Sequence, residues 1–373
     1  MEDQALLAGD ELRKIRFEDL KKGQSNIFGT VTFAVSNMKL RLVAVAFSNG
    51  WMRFLRFRIS EEDKKVLKPF NQLLCCDKMT DAVWSESTPD QKLIALSGRG
   101  TLVVFARQKD DKWKNVSELC WNLDSISPSV VENRIAMLDN ENCLMFGDPM
   151  GDRMGRVHTG GGAQITCFEW GPNGELIYGH ENGVIKVVNT GETIDDPIRH
   201  RRVLSKTIPY KVVSIQYWKS LDGSEDRSRP RLAIAYRNGR IQIRKDVSRK
   251  PIHDDRYEFE PKFMRWSPDG HSLAIVAVER NIKRPFNTSV YFLSPRGELL
   301  ARLNFVKIQN VRGISWCPSG RMLHVAGDQY VKLLFVEPFF RNETSPTESS
   351  TDSESNLGTV ERIGNMFKRI LNL

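Results

Sequence analysis

Short apolar runs separated by polar turns that contain glycine recur along the chain. In the clearest cases LIALS precedes TLVVF across Gly98-Arg99-Gly100, and LIYG precedes VIKVV across a turn that ends at Gly183. Runs of this length are typical of strands, because a helix needs a longer apolar pattern. Glycine also supplies the positive φ angles of tight hairpin turns. The pattern therefore predicts β-hairpins along most of the chain.

These hairpins belong to a longer repeat. Several copies begin with a tryptophan and a polar turn, as in Trp84-Ser85, Trp170-Gly-Pro-Asn-Gly, Trp266-Ser-Pro-Asp-Gly and Trp316-Cys-Pro-Ser-Gly. The first apolar run starts at Leu42, Leu93, Ile135, Leu176, Leu232, Leu273 and Met322. The seven units average about 47 residues, close to a four-stranded propeller blade with some long loops.

One such unit cannot bury both of its faces, whereas a closed ring of units can. We therefore predict an all-β protein with a seven-bladed β-propeller over residues 28–337. Six or eight blades stay open as alternatives, because the unit near Ile135 is degenerate and has no leading tryptophan.

The recurring tryptophan, Ser-Pro-Asp-Gly turn and hairpin resemble the repeats of WD-repeat proteins, although no Trp-Asp pair closes a unit. Residues 160–337 resemble the N-terminal propeller of the WD-repeat subunits of the intraflagellar-transport A complex and their tubby-like relative. The likeness is carried by Leu232-Ala-Ile-Ala-Tyr-Arg-Asn-Gly-Arg-Ile-Gln-Ile-Arg244 and by Ser294-Pro-Arg-Gly-Glu-Leu-Leu-Ala-Arg-Leu303 with Ile314-Ser315-Trp316. It implies a WD40-type propeller and a role in cilium-related trafficking. Family members continue into a second propeller and a helical solenoid, so a truncated or a diverged relative is equally compatible.

The ends of the chain differ from the repeat. Residues 1–27 are predicted as a charged arm with a short helix around Glu11 to Leu20, and Phe28–Val35 as a strand that helps to close the ring. Residues 338–357 are polar and acidic, and such a composition predicts a disordered linker.

Residues 358–373 carry an apolar stripe at helical spacing and are predicted as an amphipathic C-terminal helix. Three roles stay open for this helix: docking on its own propeller, contact with a partner protein, or contact with a membrane surface. The residues expected to make that contact are Ile363, Phe367, Ile370 and Leu371.

Composition and charge narrow the class of protein. The chain has 373 residues, is 40% hydrophobic and carries a formal net charge of +9. The last 33 residues hold four basic and five acidic side chains, so the positive excess belongs to the repeats. Such a charge permits an acidic protein, an anionic membrane or a nucleic acid as partner and selects none of them. The sequence contains no signal peptide, no long apolar span and no C-x-x-C pair, and we expect a cytoplasmic protein with reduced thiols.

No motif in the sequence points to catalysis. The six histidines lack metal-ligand spacing, and Gly160-Gly-Gly162 lacks the Lys-Ser/Thr pair of a phosphate loop. We therefore predict no enzyme activity, no cofactor and no metal.

A small set of residues is predicted to bind a partner. Most tryptophans follow the repeat and are expected in the core, but Trp51 directly follows the Asn49-Gly50 turn and is expected to be partly exposed. Arg99, Arg237 and Arg240 lie in or beside hairpin turns that gather on one rim of a propeller. Arg201 and Arg202 add a basic patch in what reads as a long loop. A solvated surface of mixed charge is the alternative reading of these arginines.

These observations predict a non-enzymatic scaffold that binds other proteins within a multi-subunit complex, in the cytoplasm and in association with the cilium or cytoskeleton. One alternative is a peripheral membrane or phospholipid-binding propeller that uses the basic loops and the C-terminal helix. A second is a nucleic-acid-associated propeller, although the chain shows no nucleic-acid-binding module.

Overall fold

The structure is a computed structural model of the chain, and strands dominate the part that it describes. The described residues are 14–16, 30–37, 40, 42–57, 67–75, 77–85, 92–109, 112–120, 123–128, 134–148, 154–157, 162–171, 174–190, 199–205, 208–218, 232–247, 250–279, 288–305, 311–316, 320, 322–327 and 330–335. All of them lie in one compact unit, Met1–Phe339. None of them lies in a helix, and no membrane-spanning helix is found among them.

The strands form seven sheets of four antiparallel strands each. In chain order they are β1 (Lys14–Arg16), β2 (Val31–Asn37), β3 (Leu42–Phe47), β4 (Trp51–Phe57), β5 (Leu67–Leu74), β6 (Met79–Trp84), β7 (Leu93–Ser97), β8 (Thr101–Arg107), β9 (Trp113–Cys120), β10 (Leu123–Pro128), β11 (Ile135–Asp139), β12 (Leu144–Gly147), β13 (Met154–Val157), β14 (Ile165–Trp170), β15 (Glu175–His180), β16 (Ile185–Asn189), β17 (Arg199–Ser205), β18 (Val212–Tyr217), β19 (Leu232–Tyr236), β20 (Arg240–Arg244), β21 (His253–Arg256), β22 (Phe259–Trp266), β23 (Leu273–Glu279), β24 (Thr288–Leu293), β25 (Leu299–Phe305), β26 (Val311–Trp316), β27 (Met322–Gly327) and β28 (Tyr330–Phe335).

Six sheets consist of four strands that are consecutive in sequence, from β2–β5 to β22–β25. The seventh is composite, because β1 pairs with β28 and completes the sheet of β26–β28. The first strands of successive sheets lie side by side around the ring, and β2 lies beside β26, so the ring is closed. The prediction of an all-β propeller is confirmed.

The second strand of each sheet forms the core between neighbouring sheets. All six side chains of β3 are buried, as are all five of β7 and of β19. Such strands read as continuous apolar runs because both of their faces are covered. This is why the sequence shows them as blocks such as LIALS rather than as an alternation of apolar and polar residues.

Tryptophans at the ends of the first, inner strands of the sheets link each sheet to its neighbour. Trp84 and Trp316 are buried at the ends of β6 and β26. Their indole N–H groups donate to the carbonyl oxygens of Val35 and Arg265 in the preceding sheets, both at 3.2 Å. Trp170, Trp218 and Trp266 are buried at or just after the ends of β14, β18 and β22. The expectation that repeat-spaced tryptophans belong to the core holds for these five.

The N-terminal segment differs from its prediction. The sequence suggests a short helix around Glu11 to Leu20, but Lys14–Arg16 is a strand because β28 offers an unpaired edge. The strand predicted at Phe28–Val35 is found as β2, shifted towards the C-terminus. The acidic linker 338–357 and the C-terminal helix 358–373 lie outside the described residues, so those predictions stay predictions.

Candidate interaction surface

Turns between the second and third strands of the sheets share one face of the ring with the loops that lead from one sheet to the next. We call it the upper face. Backbone hydrogen bonds join the two sets: the Cys75 amide donates to Gly50 at 2.7 Å, and the Arg237 amide donates to Lys211 at 2.8 Å. The Tyr257 amide likewise donates to Gly239 at 3.0 Å. Turns from distant parts of the sequence thus form one continuous surface.

Two of the predicted arginines project from this face. The side chain of Arg99 is 81% exposed in the β7–β8 turn, and that of Arg237 is 64% exposed in the β19–β20 turn. Arg99 lies 3.4 Å from a carboxylate oxygen of Asp77, and Arg237 lies 3.6 Å from Glu260. Ion pairs this exposed hold a side chain weakly, so both guanidinium groups can turn towards a partner.

Arg240 is held within its own sheet. Its Nε and Nη2 donate to the two carboxylate oxygens of Asp254 on β21, at 2.6 and 2.8 Å. This bidentate bond raises the pKa of Arg240 and lowers the pKa of Asp254, and Gln242 also donates to that carboxylate. The arginine therefore links β20 to β21 and is less available to a partner than the sequence suggests.

Arg201 and Arg202 do not lie in a loop. They belong to β17, the outer strand of its sheet, where Arg202 pairs with Val187 of β16. The basic run reads as a loop in sequence because it lacks apolar alternation, but an outer strand has one open edge and tolerates polar residues. Their side chains lie outside the described residues.

Trp51 forms part of a surface patch that sequence reasoning found only in part. It is half-buried, begins β4 and lies directly opposite Leu74 of β5. Leu74 is 61% exposed, the most exposed of the large hydrophobic residues in the described part of the chain. We call Trp51, Leu74 and Arg99, whose ion-pair partner Asp77 follows β5, the Trp51 patch. The pairing of Leu74 with Trp51 depends on strand register, which the sequence alone does not give.

A pocket of about 900 Å³ opens between the fifth sheet (β18–β21) and the sixth (β22–β25). We call it the β21–β25 pocket, after the outer strands on its two sides. It is lined by Asn238, Arg256, Tyr257, Glu258, Phe259, Glu279, Tyr291, Leu299 and Arg302. No motif in the sequence indicated this pocket, because its residues come from two sheets and the loop between them.

One wall of the pocket is a stack of planar groups. Tyr257 stacks on Phe259 with ring centroids 5.1 Å apart, and Phe259 lies 4.3 Å from Tyr291. The guanidinium carbon of Arg302 lies 5.5 Å from the centre of the Tyr291 ring. Burial raises the pKa of Tyr257 and of Tyr291 to about 12, so both phenols stay neutral. The stack gives this wall a fixed shape.

Glu279 anchors the end of this stack. Its Oε1 accepts hydrogen bonds from Ser289 at 2.5 Å, from Tyr291 at 3.2 Å and from Arg302. Burial raises the pKa of this carboxyl group, but the bonds from Ser289, Arg302 and Tyr291 outweigh burial and leave the pKa below its ordinary value. The carboxylate is therefore ionised and its position is set by three donors.

A partly buried polar cluster lies where the first and last sheets meet. Ser36 of β2 is hydrogen-bonded to Ser315 of β26, and its hydroxyl lies 3.3 Å from Nδ1 of His324 on β27. His324 is only 1% exposed, and burial lowers its pKa to about 4. A serine beside a histidine can suggest a nucleophile, but this imidazole is shut off from solvent. The cluster therefore links the first and seventh sheets through polar contacts.

Among the described residues, no group of three or more His, Cys, Asp or Glu side chains is placed to hold a metal ion. The features that could engage a ligand are therefore the Trp51 patch, the exposed arginines of the upper face and the β21–β25 pocket. These features define the class of the protein as a closed β-propeller. In this class the loops and the outer strand edges are exposed, and they form the surface that a partner could contact.

Comparisons with known proteins agree with this class. The chain is 21% identical to human WD repeat-containing protein 35 over 326 residues, which is 82% of this chain and 27% of the human protein. It is also 21% identical over 270 residues to the rat protein of the same name, covering 69% of this chain and 22% of that protein. The chain thus spans about a quarter of the length of these relatives. The search of protein-family models found no match.

Among solved structures, the fold is similar to the crystal structure of Raptor from Chaetomium thermophilum, with a TM-score of 0.63 at 14% sequence identity. The match covers 82% of this chain and 28% of that chain. The chain is a β-propeller that resembles WD-repeat proteins. More particularly, it is similar to WD repeat-containing protein 35.

Proposed function

We propose that this chain is a non-enzymatic scaffold that binds other proteins through its upper face, within a multi-subunit complex. The observation that carries the proposal is its likeness to WD repeat-containing protein 35 over 82% of the chain. The Trp51 patch supports it, since exposed aromatic and arginine side chains are typical anchors of protein interfaces.

A cilium-related transport complex is the setting that we propose for this scaffold, in the cytoplasm and at the cilium. The support is the resemblance of residues 160–337 to the WD-repeat subunits of the intraflagellar-transport A complex. The segment with Leu232–Tyr236 and Arg240–Arg244 forms the paired strands β19 and β20, so the residues that carry the resemblance build the propeller itself.

The membrane and nucleic-acid alternatives receive little support from the upper face. Both would need a face of largely positive charge to attract phosphate groups, but a carboxylate lies beside each of Arg99, Arg237 and Arg240 and reduces that charge. The contribution of residues 358–373 to membrane binding is testable by liposome flotation with and without that segment.

Affinity purification from ciliated cells, followed by mass spectrometry, tests the proposal. We expect the wild-type chain to recover a reproducible set of subunits of one transport complex. The combined variant Trp51→Ala, Leu74→Gln and Arg99→Glu should lower that recovery at least about tenfold, because it removes an apolar anchor and reverses a charge.

The matched control is Ile252→Gln, which changes an exposed apolar side chain between β20 and β21, in the fifth sheet and not in the two sheets of the Trp51 patch. This variant should recover the complex as well as wild type does. Recovery of no stoichiometric partner by the wild-type chain would contradict the scaffold function. Equal losses in the patch variant and the control would contradict the role of the patch.

A further inference from the structure

The β21–β25 pocket has two chemically different ends. Near the upper face it is charged, since Arg256 ends β21 and Glu258 lies in the loop that follows. Away from the upper face it is apolar, because Leu299 begins β25 at the opposite end of the sheet and is 55% exposed. An exposed leucine at the mouth of a pocket with an aromatic wall offers an apolar contact to a ligand side chain.

Two arginines in the pocket use only some of their N–H groups in hydrogen bonds to the described residues. Arg256 uses its Nε to donate to the Asn238 carbonyl at 3.2 Å, and Arg302 uses one terminal nitrogen to donate to Glu279. The other N–H groups of these two guanidinium groups meet no acceptor among the residues that the structure describes. Arginine presents five donors in a planar fork, a geometry that matches a carboxylate.

The acidic groups of the pocket do not use up these donors. Glu279 is already held by three donors on one oxygen, at 15% side-chain exposure. Glu258 is exposed at the rim of the pocket and has no hydrogen bond or ion pair to the described residues. The Glu258 carboxylate would repel an acidic ligand. The change in affinity when Glu258 is replaced by a neutral residue therefore shows whether the ligand is negatively charged.

We infer that the β21–β25 pocket binds an extended peptide segment of a partner protein, one that carries an acidic residue two or three positions from a bulky apolar residue. The apolar side chain contacts Leu299 and the edge of Tyr291, and the carboxylate pairs with Arg256 and Arg302. Leu299 and Arg302 lie opposite Leu293 and Tyr291 of β24, because a β-bulge separates them on β25. They are thus two ladder positions apart, a rise of about 7 Å, and an extended peptide spans this distance with two or three residues.

The charge of the whole chain favours the same partner. A net charge of +9 attracts an acidic segment at long range and raises the rate at which it meets the surface. The inference rests on the proposed scaffold function and adds the chemistry of one partner segment to it.

Selection from a displayed library of random decapeptides on the full chain tests the inference. We expect enrichment of peptides in which Glu or Asp lies two or three positions from Leu, Ile or Phe. Selection on the double variant Arg256→Gln and Leu299→Gln should lose that enrichment. Enrichment of basic peptides, enrichment that the double variant keeps, or no enrichment at all would each overturn the inference.

Titration of the most enriched peptide against single variants gives a second readout that includes two control substitutions. Arg256→Gln should weaken its binding about tenfold, the effect of losing one charge-assisted hydrogen bond. Glu258→Gln should leave the affinity equal or raise it, and Arg99→Gln, which lies in a distant turn, should leave it unchanged. Weaker binding by Glu258→Gln with normal binding by Arg256→Gln would reverse the assigned charge and reject the inference.

The two proposals can fail separately. If the wild-type chain recovers its complex from cells while the library gives no enriched peptide, the pocket inference fails and the scaffold function stands. If the library selects peptides and the cells yield no complex, the scaffold function fails.

Discussion

Gly183 shows how one residue allows two loops of the upper face to meet. Its φ is +83°, and a β-carbon placed there would lie 1.7 Å from the carbonyl oxygen of Ile208 in the next inter-sheet loop. Glycine is required at this position for two reasons, because other residues rarely adopt that φ and because the neighbouring backbone leaves no room.

We expect Gly183→Ala to lower the free energy of unfolding by about 3 kcal/mol or more, the combined cost of backbone strain and of moving the Ile208 loop. Gly162→Ala is the matched control, since a β-carbon there meets no heavy atom within 4 Å. It should change stability by less than about 0.5 kcal/mol. Chemical denaturation of both variants measures the difference, and equal stabilities would show that the loop shifts freely.

His324 predicts how stability depends on pH. Its pKa is about 4 in the folded protein and about 6.5 in an unfolded chain, so the unfolded state binds the extra proton between these values. The free energy of unfolding should therefore fall as pH drops from about 6.5 to about 4, by about 3 kcal/mol from this residue.

Urea titrations across that pH range, on wild type and on His324→Gln, measure the contribution. The variant should be less stable at neutral pH because it disturbs a buried site, yet its stability should vary less between pH 6.5 and 4. His180, whose pKa burial also lowers, supplies part of the remaining slope in both proteins. Identical slopes in the two proteins would refute the assignment.

The sequence alone identified the exposed arginines and Trp51, but it did not identify the residues that contact them. Arg99 and Arg237 are placed in turns by the neighbouring glycines, so their position on one rim follows from the repeat. The Asp254 partner of Arg240 and the Leu74 neighbour of Trp51 come from strand register. Register depends on turn geometry and on the core of the whole sheet, so spacing along the chain does not specify it.

At the scale of elements, the N-terminal strand β1 is the least regular member of the propeller. It pairs through Lys14, Ile15 and Arg16 with Lys332, Val331 and Tyr330 of β28. The repeat predicted the second and third strands of the sheets, such as β7 and β8, because their apolar runs recur. It could not predict β1, whose three residues become a strand only through the edge that β28 presents.

We expect deletion of residues 1–16 to lower the free energy of unfolding by about 2 kcal/mol, since it removes a short ladder of backbone hydrogen bonds. Deletion of residues 1–10 keeps β1 and serves as the control, with little expected change. Thermal melts followed by circular dichroism compare the two. Equal melting temperatures would show that β1 contributes nothing to the seventh sheet.

At the scale of the whole molecule, each sheet depends on its neighbours. Indole N–H bonds join β6 to β2 and β26 to β22, and the Ser36–Ser315 contact joins the first sheet to the last. A unit that loses one neighbour exposes a face of apolar residues to water. The ring should therefore unfold as a unit.

Denaturation followed by tryptophan fluorescence and by far-ultraviolet circular dichroism tests this cooperativity. The buried tryptophans Trp84, Trp170, Trp218, Trp266 and Trp316 report from five different sheets. Both signals should give a single transition with the same midpoint. Two separated midpoints would show that part of the ring unfolds independently.

The composite seventh sheet also bears on how the protein is made. Because β1 pairs with β28, this pairing cannot form during translation until the ribosome has synthesised the chain as far as Phe335. At about 5–20 residues per second this delay amounts to tens of seconds. Throughout that interval the inner strand β2 lacks its neighbour β26, and a chaperone that shields apolar strands during translation would act on this protein early and release it late.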